Sequence, residues 1–177
     1  NREVLADQLQ PGDLLKKSDD FAAALASYEQ VRESFPDEPV VHCRCAEMQL
    51  MLERKEAAEH SYRQALTLSP VCPEAACGLG GVLILLREWG EAEATYRKSL
   101  AENPDHSDLH MALGELLAKV GRNVEACYFM RRAVAIRPES AGRPRRRGSW
   151  SELRSPARTA PSCSDRSTRR RRCNRPA

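Results

Sequence analysis

The chain has 177 residues, a formal net charge of +3 and 5% aromatic residues, which is room for one ordinary domain or four to five helical hairpins. Scarce aromatics beside common alanine and leucine favour packed helices over a sheet. Uninterrupted apolar runs such as Val82 to Leu86 are no longer than six residues, against roughly 18 for a spanning helix, so no stretch reads as a transmembrane segment.

The small net charge hides two opposite parts. Residues 141–177 hold 12 of the 28 Lys+Arg and 2 of the 25 Asp+Glu, a local charge of +10 that leaves −7 on residues 1–140. So abrupt a change marks a boundary. The seven cysteines (Cys43, Cys45, Cys72, Cys77, Cys127, Cys163, Cys173) are odd in number, and their spacing fits neither a disulfide framework nor a zinc site. Cys43 and Cys45 lie two apart, so on a helix their side chains diverge. The expectation is free, reduced thiols in an intracellular protein.

In chain order, Val4 to Gln10 reads as a separate turn or partial helix, because Pro11 should break a helix interior; a short helix is expected to restart there. From Pro11 onward the chain repeats. Pro36, Pro70, Pro104 and Pro138 each lie 34 residues after the last. Twelve residues before them stand Ala24, Ala58, Ala92 and Ala126; eight before, Tyr28, Tyr62, Tyr96 and then Met130; five before, Val31, Ala65, Ser99 and Ala133. Gly12, Ala46, Gly80 and Gly114 occupy the position 24 before each proline, and Cys45, Leu79 and Leu113 precede the last three.

The spacing has a physical reading. Ala92, Tyr96 and Ser99 step by four and three and share one helix face. With almost no side chain at Gly80 and Ala92, two helices approach closely and the tyrosine ring fills the remaining space. Pro39 and Pro73 suit first-turn positions, Ser107 suits a cap, and Gly121 suits a left-handed turn. In the most regular unit, Pro73 to Pro104, the connection between helices is placed at Glu88–Gly90.

Small residues, an aromatic and a closing proline at these offsets of 34 resemble the tetratricopeptide repeat. The resemblance covers about residues 11–138. It implies an all-α fold, an α-solenoid with a right-handed superhelix of helix–turn–helix units. The aromatic that often opens the first helix is His42, Ala76 or His110 here. Domain boundaries follow: 1–10 an N-terminal segment, 11–138 the repeat domain, 139–177 a tail too rich in Arg, Ser and Pro to bury a core, hence disordered.

No catalytic constellation stands out, and neither a metal nor a cofactor is expected. His42 and Cys45 lie three apart, but no second pair completes a metal site. Gly78, Gly80 and Gly81 fall inside a helix of the repeat, where a phosphate loop has no place. What the resemblance implies instead is a partner-binding concave groove formed by the first helices. Carried over by position, unit two contributes Val40, Cys43, Glu47, Leu50 and Met51. Unit three contributes Glu74, Cys77, Gly81, Ile84 and Leu85. Unit four contributes Asp108, Met111 and Glu115, with Ala118 and Lys119 beside them, and unit one Asp13, Lys16 and Lys17. Some relatives clamp acidic chaperone tails with basic residues. Here the corresponding positions hold Asp13, Arg44, Glu74 and Gly78, which argues against such a clamp.

The reading is therefore a non-catalytic interaction scaffold, cytoplasmic, that binds a peptide or helix with an apolar stripe and basic flanks. A competing expectation is the repeat portion of a larger, truncated or alternatively spliced enzyme of glycosyltransferase, sulfotransferase or methyltransferase type. The apolar second helix of unit four suggests self-association through an uncapped end. The arginine clusters Arg145–Arg147 and Arg169–Arg172 would serve nucleic-acid binding or nuclear import if selected. Arginine without lysine and abrupt loss of the repeat favour a frameshift or intron product.

Overall fold

A computed structural model describes residues 2–137. Pro138 and the tail, with the disorder expected there, lie outside the described residues. Eight helices and no strand occur among those residues: α1 (Arg2–Lys17), α2 (Phe21–Ser34), α3 (Pro39–Met51), α4 (Lys55–Leu68), α5 (Pro73–Leu85), α6 (Trp89–Glu102), α7 (Ser107–Val120) and α8 (Asn123–Ile136). They pair as four antiparallel hairpins, α1–α2, α3–α4, α5–α6 and α7–α8, and each hairpin packs on the next through α2–α3, α4–α5 and α6–α7. The all-α solenoid expected from the register is what forms.

The small-and-large alternation is the packing device. Ala24, Ala58 and Ala92 are wholly buried, and Tyr28, Tyr62 and Tyr96 are at most 2% exposed. A methyl group added at Gly12 would overlap the Tyr28 ring, and one at Gly80 the Tyr96 ring. The absent side chain therefore makes the space that the tyrosine occupies. Unit four substitutes a flexible thioether: Met130 Cγ would stand 2.8 Å from a Cβ at Gly114.

Three local expectations are corrected. First, α1 runs unbroken through Pro11. Leu5, Leu9 and Gly12 are buried along one stripe while Asp7 and Pro11 are exposed. The Asp7 carbonyl that loses its helical donor to Pro11 thus faces water, and α1 is held by its apolar face. Second, Ser107 is not the cap of α7. His106 holds that position, and the buried Ser107 hydroxyl donates to the Ala133 carbonyl at 3.1 Å, tying α7 to the end of α8. Third, the turn of unit three lies before Trp89, which opens α6, so Gly90 is helical. Pro39 and Pro73 do sit in first-turn positions.

The turns within hairpins share one geometry. Asp19 (φ 62°), Glu53 (φ 60°), Arg87 (φ 68°) and Gly121 (φ 89°) are left-handed, and they too are 34 residues apart. After each, an N–H reaches back five residues: Asp20 to Leu15 O, Arg54 to Gln49 O, Glu88 to Leu83 O and Arg122 to Leu117 O, at 2.8–3.1 Å. This is the Schellman pattern, which satisfies carbonyls at the end of each first helix.

Candidate partner-binding groove

The first helices approach one another more closely than the second helices do. α3 packs directly on α5, and α5 on α7. Successive second helices instead meet through long charged side chains: Arg63 spans Glu59 and Glu91 at 2.9 and 2.6 Å, and Arg97 spans Glu93 and Glu125 at 2.8 and 3.4 Å. Arg122 adds bonds to Glu93 and Glu125. The thirteen candidate groove positions all lie on these first helices, α3, α5 and α7. Burial raises the Glu93 carboxyl, but Arg97 and Arg122 outweigh it and hold its pKa below the usual glutamate value.

The thirteen candidate positions divide by depth. Cys43 (4% exposed), Leu50 (2%) and Gly81 are buried and serve as packing between helices in the free chain. Glu47, Cys77, Ile84, Leu85, Met111 and Glu115 are half-buried. Val40, Met51, Glu74 and Asp108 are exposed. The apolar part that remains open to a partner is thus Val40 and Met51 on α3, Ile84 and Leu85 on α5, and Met111 on α7, with Ala118 and Lys119 exposed at its end.

Acids accompany this stripe, and several are engaged. Lys16 Nζ lies 2.5 Å from Glu47 Oε2, which also receives Arg44 Nη1 at 3.4 Å. Asp13 accepts the Tyr28 hydroxyl at 2.5 Å. Burial and that bond push the Tyr28 pKa above the tyrosine range. Asp108 pairs with Arg137. Lys16 and Arg44 are thus engaged within the molecule.

Two of the four histidines, His42 and His110, bond to loop carbonyls. His42 Nε2 lies 2.8 Å from the Pro36 carbonyl and His110 Nε2 lies 2.7 Å from the Pro104 carbonyl, which assigns the proton to Nε2 in both rings. Each closes the loop from the preceding hairpin. His110 also stacks on Phe129, with centroids 5.9 Å apart. Among the described residues no group of three or more His, Cys, Asp or Glu gathers as metal ligands, and none of the helices could cross a membrane.

Sequence reasoning passed over Cys72, which appeared only as one of seven cysteines. It is the N-cap residue of α5, half-buried, and the Cys43 thiol on α3 is first among the influences that hold its pKa below the usual thiol value. A signal was present: a cysteine immediately before a helix-opening proline occupies the cap slot. The outer face of α8 carries Val124, 88% exposed, and Tyr128, 64% exposed.

The fold and its repeat register agree with known proteins. No curated protein sequence matches the chain. Among solved structures, MamA is similar with 19% identity and a TM-score of 0.66, over 77% of this chain and 80% of that one. TTC0263, a thermophilic TPR protein of Thermus thermophilus, gives 20% identity and a TM-score of 0.68, over 76% and 75%. PilW, described as a widely conserved type IV pilus biogenesis factor, gives 27% identity and a TM-score of 0.70, over 77% of this chain but 63% of PilW. The tetratricopeptide repeat family matches residues 49–104 and 86–141, together more than half of the chain, and the chain belongs to that family.

Proposed function

We propose that this protein is a non-catalytic scaffold whose inner face, within a repeat domain of residues 11–138, holds a peptide or helix of a protein partner. The observation that carries the reading is the open apolar stripe on successive first helices: Val40 and Met51, then Ile84 and Leu85, then Met111, none of them fully buried. An amphipathic segment laid along it would cover these side chains, the arrangement of helix-in-groove recognition. Glu74, exposed on α5 beside the stripe, makes a partner with Lys or Arg flanking its apolar positions the complementary one.

A peptide-display selection against the full chain tests this. The expected winners carry apolar residues at helical spacing with basic flanks. Leu85→Glu should weaken them at least roughly tenfold, as expected when a charge is buried against apolar surface. Lys98→Glu, on the exposed side of α6, should leave them unchanged. Binders that lack an apolar stripe, or that bind a folded Leu85→Glu variant with full affinity, overturn the reading.

A further inference from the structure

We infer that copies of this chain stack head to tail, the α7–α8 hairpin of one against the α1–α2 hairpin of the next, so that the 34-residue register runs on from molecule to molecule. The internal seams bury a fixed set of first-helix positions. In α3 these are Val41, Cys45 and Met48, which share one core cluster with Leu25, Tyr28 and Val31 of α2. The register carries Met48 to Val82 and Leu116, all at most 1% exposed; its counterpart in α1, Leu14, is 64% exposed. The counterparts of Val41 and Cys45 in α1 are Asp7 and Pro11, and both are exposed. α1 has its hairpin partner, as the other first helices do. What it lacks, among the described residues, is a preceding second helix. Val4 is exposed on the same stripe, so the front of the array presents three apolar side chains and one acid.

The other end offers the matching half. Val124 and Tyr128 do not belong to it, because their counterparts Gly90 and Ala94 are exposed inside the array too. The seam side of α8 is marked instead by Cys127 and Met130. Cys127 is exposed, whereas Leu25 is buried at its position and Glu59 and Glu93 are half-buried. Met130 is half-buried where the three tyrosines are buried. Both side chains lose cover only in the last unit, where no further first helix packs among the described residues. The stripe of Pro11 and Leu14 on a second copy supplies that cover, as Cys45 and Met48 do for α2.

Charge selects the same pairing of ends. Arg63 and Arg97 each reach an acid in the first turn of the next second helix, Glu91 and Glu125. Arg131 holds the next step of that ladder, 34 residues after Arg97. It is exposed, and among the described residues no acid pairs with it. At the corresponding helix start, unit one carries Asp19 and Asp20, the latter the exposed N-cap of α2. A second pair of changes agrees. Inside the array Glu93 meets Arg122. Their counterparts across a seam between copies are Cys127 and Asp20, so the end that would face a new acid has none of its own, and repulsion is avoided. The contact joins two different surfaces. It is therefore heterologous and adds copies one after another. This assignment is independent of what the first-helix groove binds.

Sedimentation of the full chain over a range of concentrations tests this. The average mass should rise steadily with concentration. Leu14→Glu blocks the front and Arg131→Glu blocks the rear. Each should weaken association at least roughly tenfold, the first by setting a charge against apolar surface and the second by setting like charges together. Both positions are exposed, so both variants should keep the wild-type circular dichroism. Mixed in equal amounts, the two variants should form a dimer and nothing larger, since each retains the half that the other lacks. Adding Asp20→Arg to the Arg131→Glu chain should restore stacking by exchanging the two charges. A wild-type chain that stays monomeric at high concentration overturns the inference. So does a Leu14→Glu chain that associates as tightly as the wild type, which would mean that two α8 faces meet each other. A mixture of the two folded variants that stays monomeric, while the wild type associates, overturns it as well.

Discussion

Gly80 and Gly90 lie ten residues apart on one hairpin and answer to different constraints. At Gly80 any Cβ would run into the Tyr96 ring, while at Gly90 no atom outside the local chain lies within 4 Å of one. Gly80→Ala should therefore destabilise the protein by about 1–3 kcal/mol, the usual cost of overpacking a filled core. Gly90→Ala, in the first turn of α6, should stabilise it by about 0.5 kcal/mol or a little more by restricting the unfolded chain. Urea denaturation of the two variants with unchanged slope separates these outcomes; equal midpoints would show that the Gly80–Tyr96 contact yields without cost. The same logic explains why Met130 tolerates its place in unit four. It meets Gly114 with a flexible side chain rather than a ring, so that unit can adjust where the other three are rigid.

The hairpin turns carry a strain that a different residue would relieve. Asp19, Glu53 and Arg87 hold left-handed backbones, a conformation that costs a residue with a Cβ roughly 1 kcal/mol and that the fourth unit assigns to Gly121. Arg87 is exposed, so Arg87→Gly should gain about 0.5–1 kcal/mol of stability and raise the melting temperature, readable by calorimetry; a lower melting temperature would mean that the arginine side chain contributes more than its backbone costs. These turns also mark where the sequence stopped being legible. The 34-residue register was readable because packing positions demand residue types: glycine or alanine against tyrosine, proline after each second helix. The turn conformation demands none, since the Schellman bonds use backbone atoms alone, and only Gly121 advertised it. Pro11 misled for a related reason: it signals a lost donor, but not that the orphaned Asp7 carbonyl faces water while Leu5, Leu9 and Gly12 hold the helix. In the groove, position along the first helix gave direction and not depth. Cys43, Leu50 and Gly81 stand at candidate groove positions and are nonetheless buried, and such cover depends on side-chain sizes one unit away.

At the scale of the array, each hairpin leans only on its neighbours, so stability is a sum of unit and seam contributions rather than one shared core. The seams are unequal. α3, α4 and α5 are packed on both sides and contain many buried side chains, His42 to Leu83 among them. Among the described helices α8 packs chiefly on α7, touching α6 through Arg97, and of its residues only Ala126 and Ala133 are buried. The Arg–Glu ladder reinforces the outer seams, but exposed ion pairs contribute on the order of 0.5 kcal/mol each and weaken with salt, too little to equal a buried helix. Native-state hydrogen exchange should therefore grade along the chain. Amides of α3 to α5 should exchange last and near the rate set by global unfolding, and those of α8 at least about tenfold faster through local opening. The first half of α1, where Pro11 removes one helical bond, should fall between them. Added salt should quicken α8 and the second helices more than α3 and α5, because the ladder runs on the outer side alone. Uniform protection across all eight helices would show a single cooperative unit in place of coupled hairpins. A partner laid along the inner face would then stabilise the whole molecule at once, rather than the units it touches.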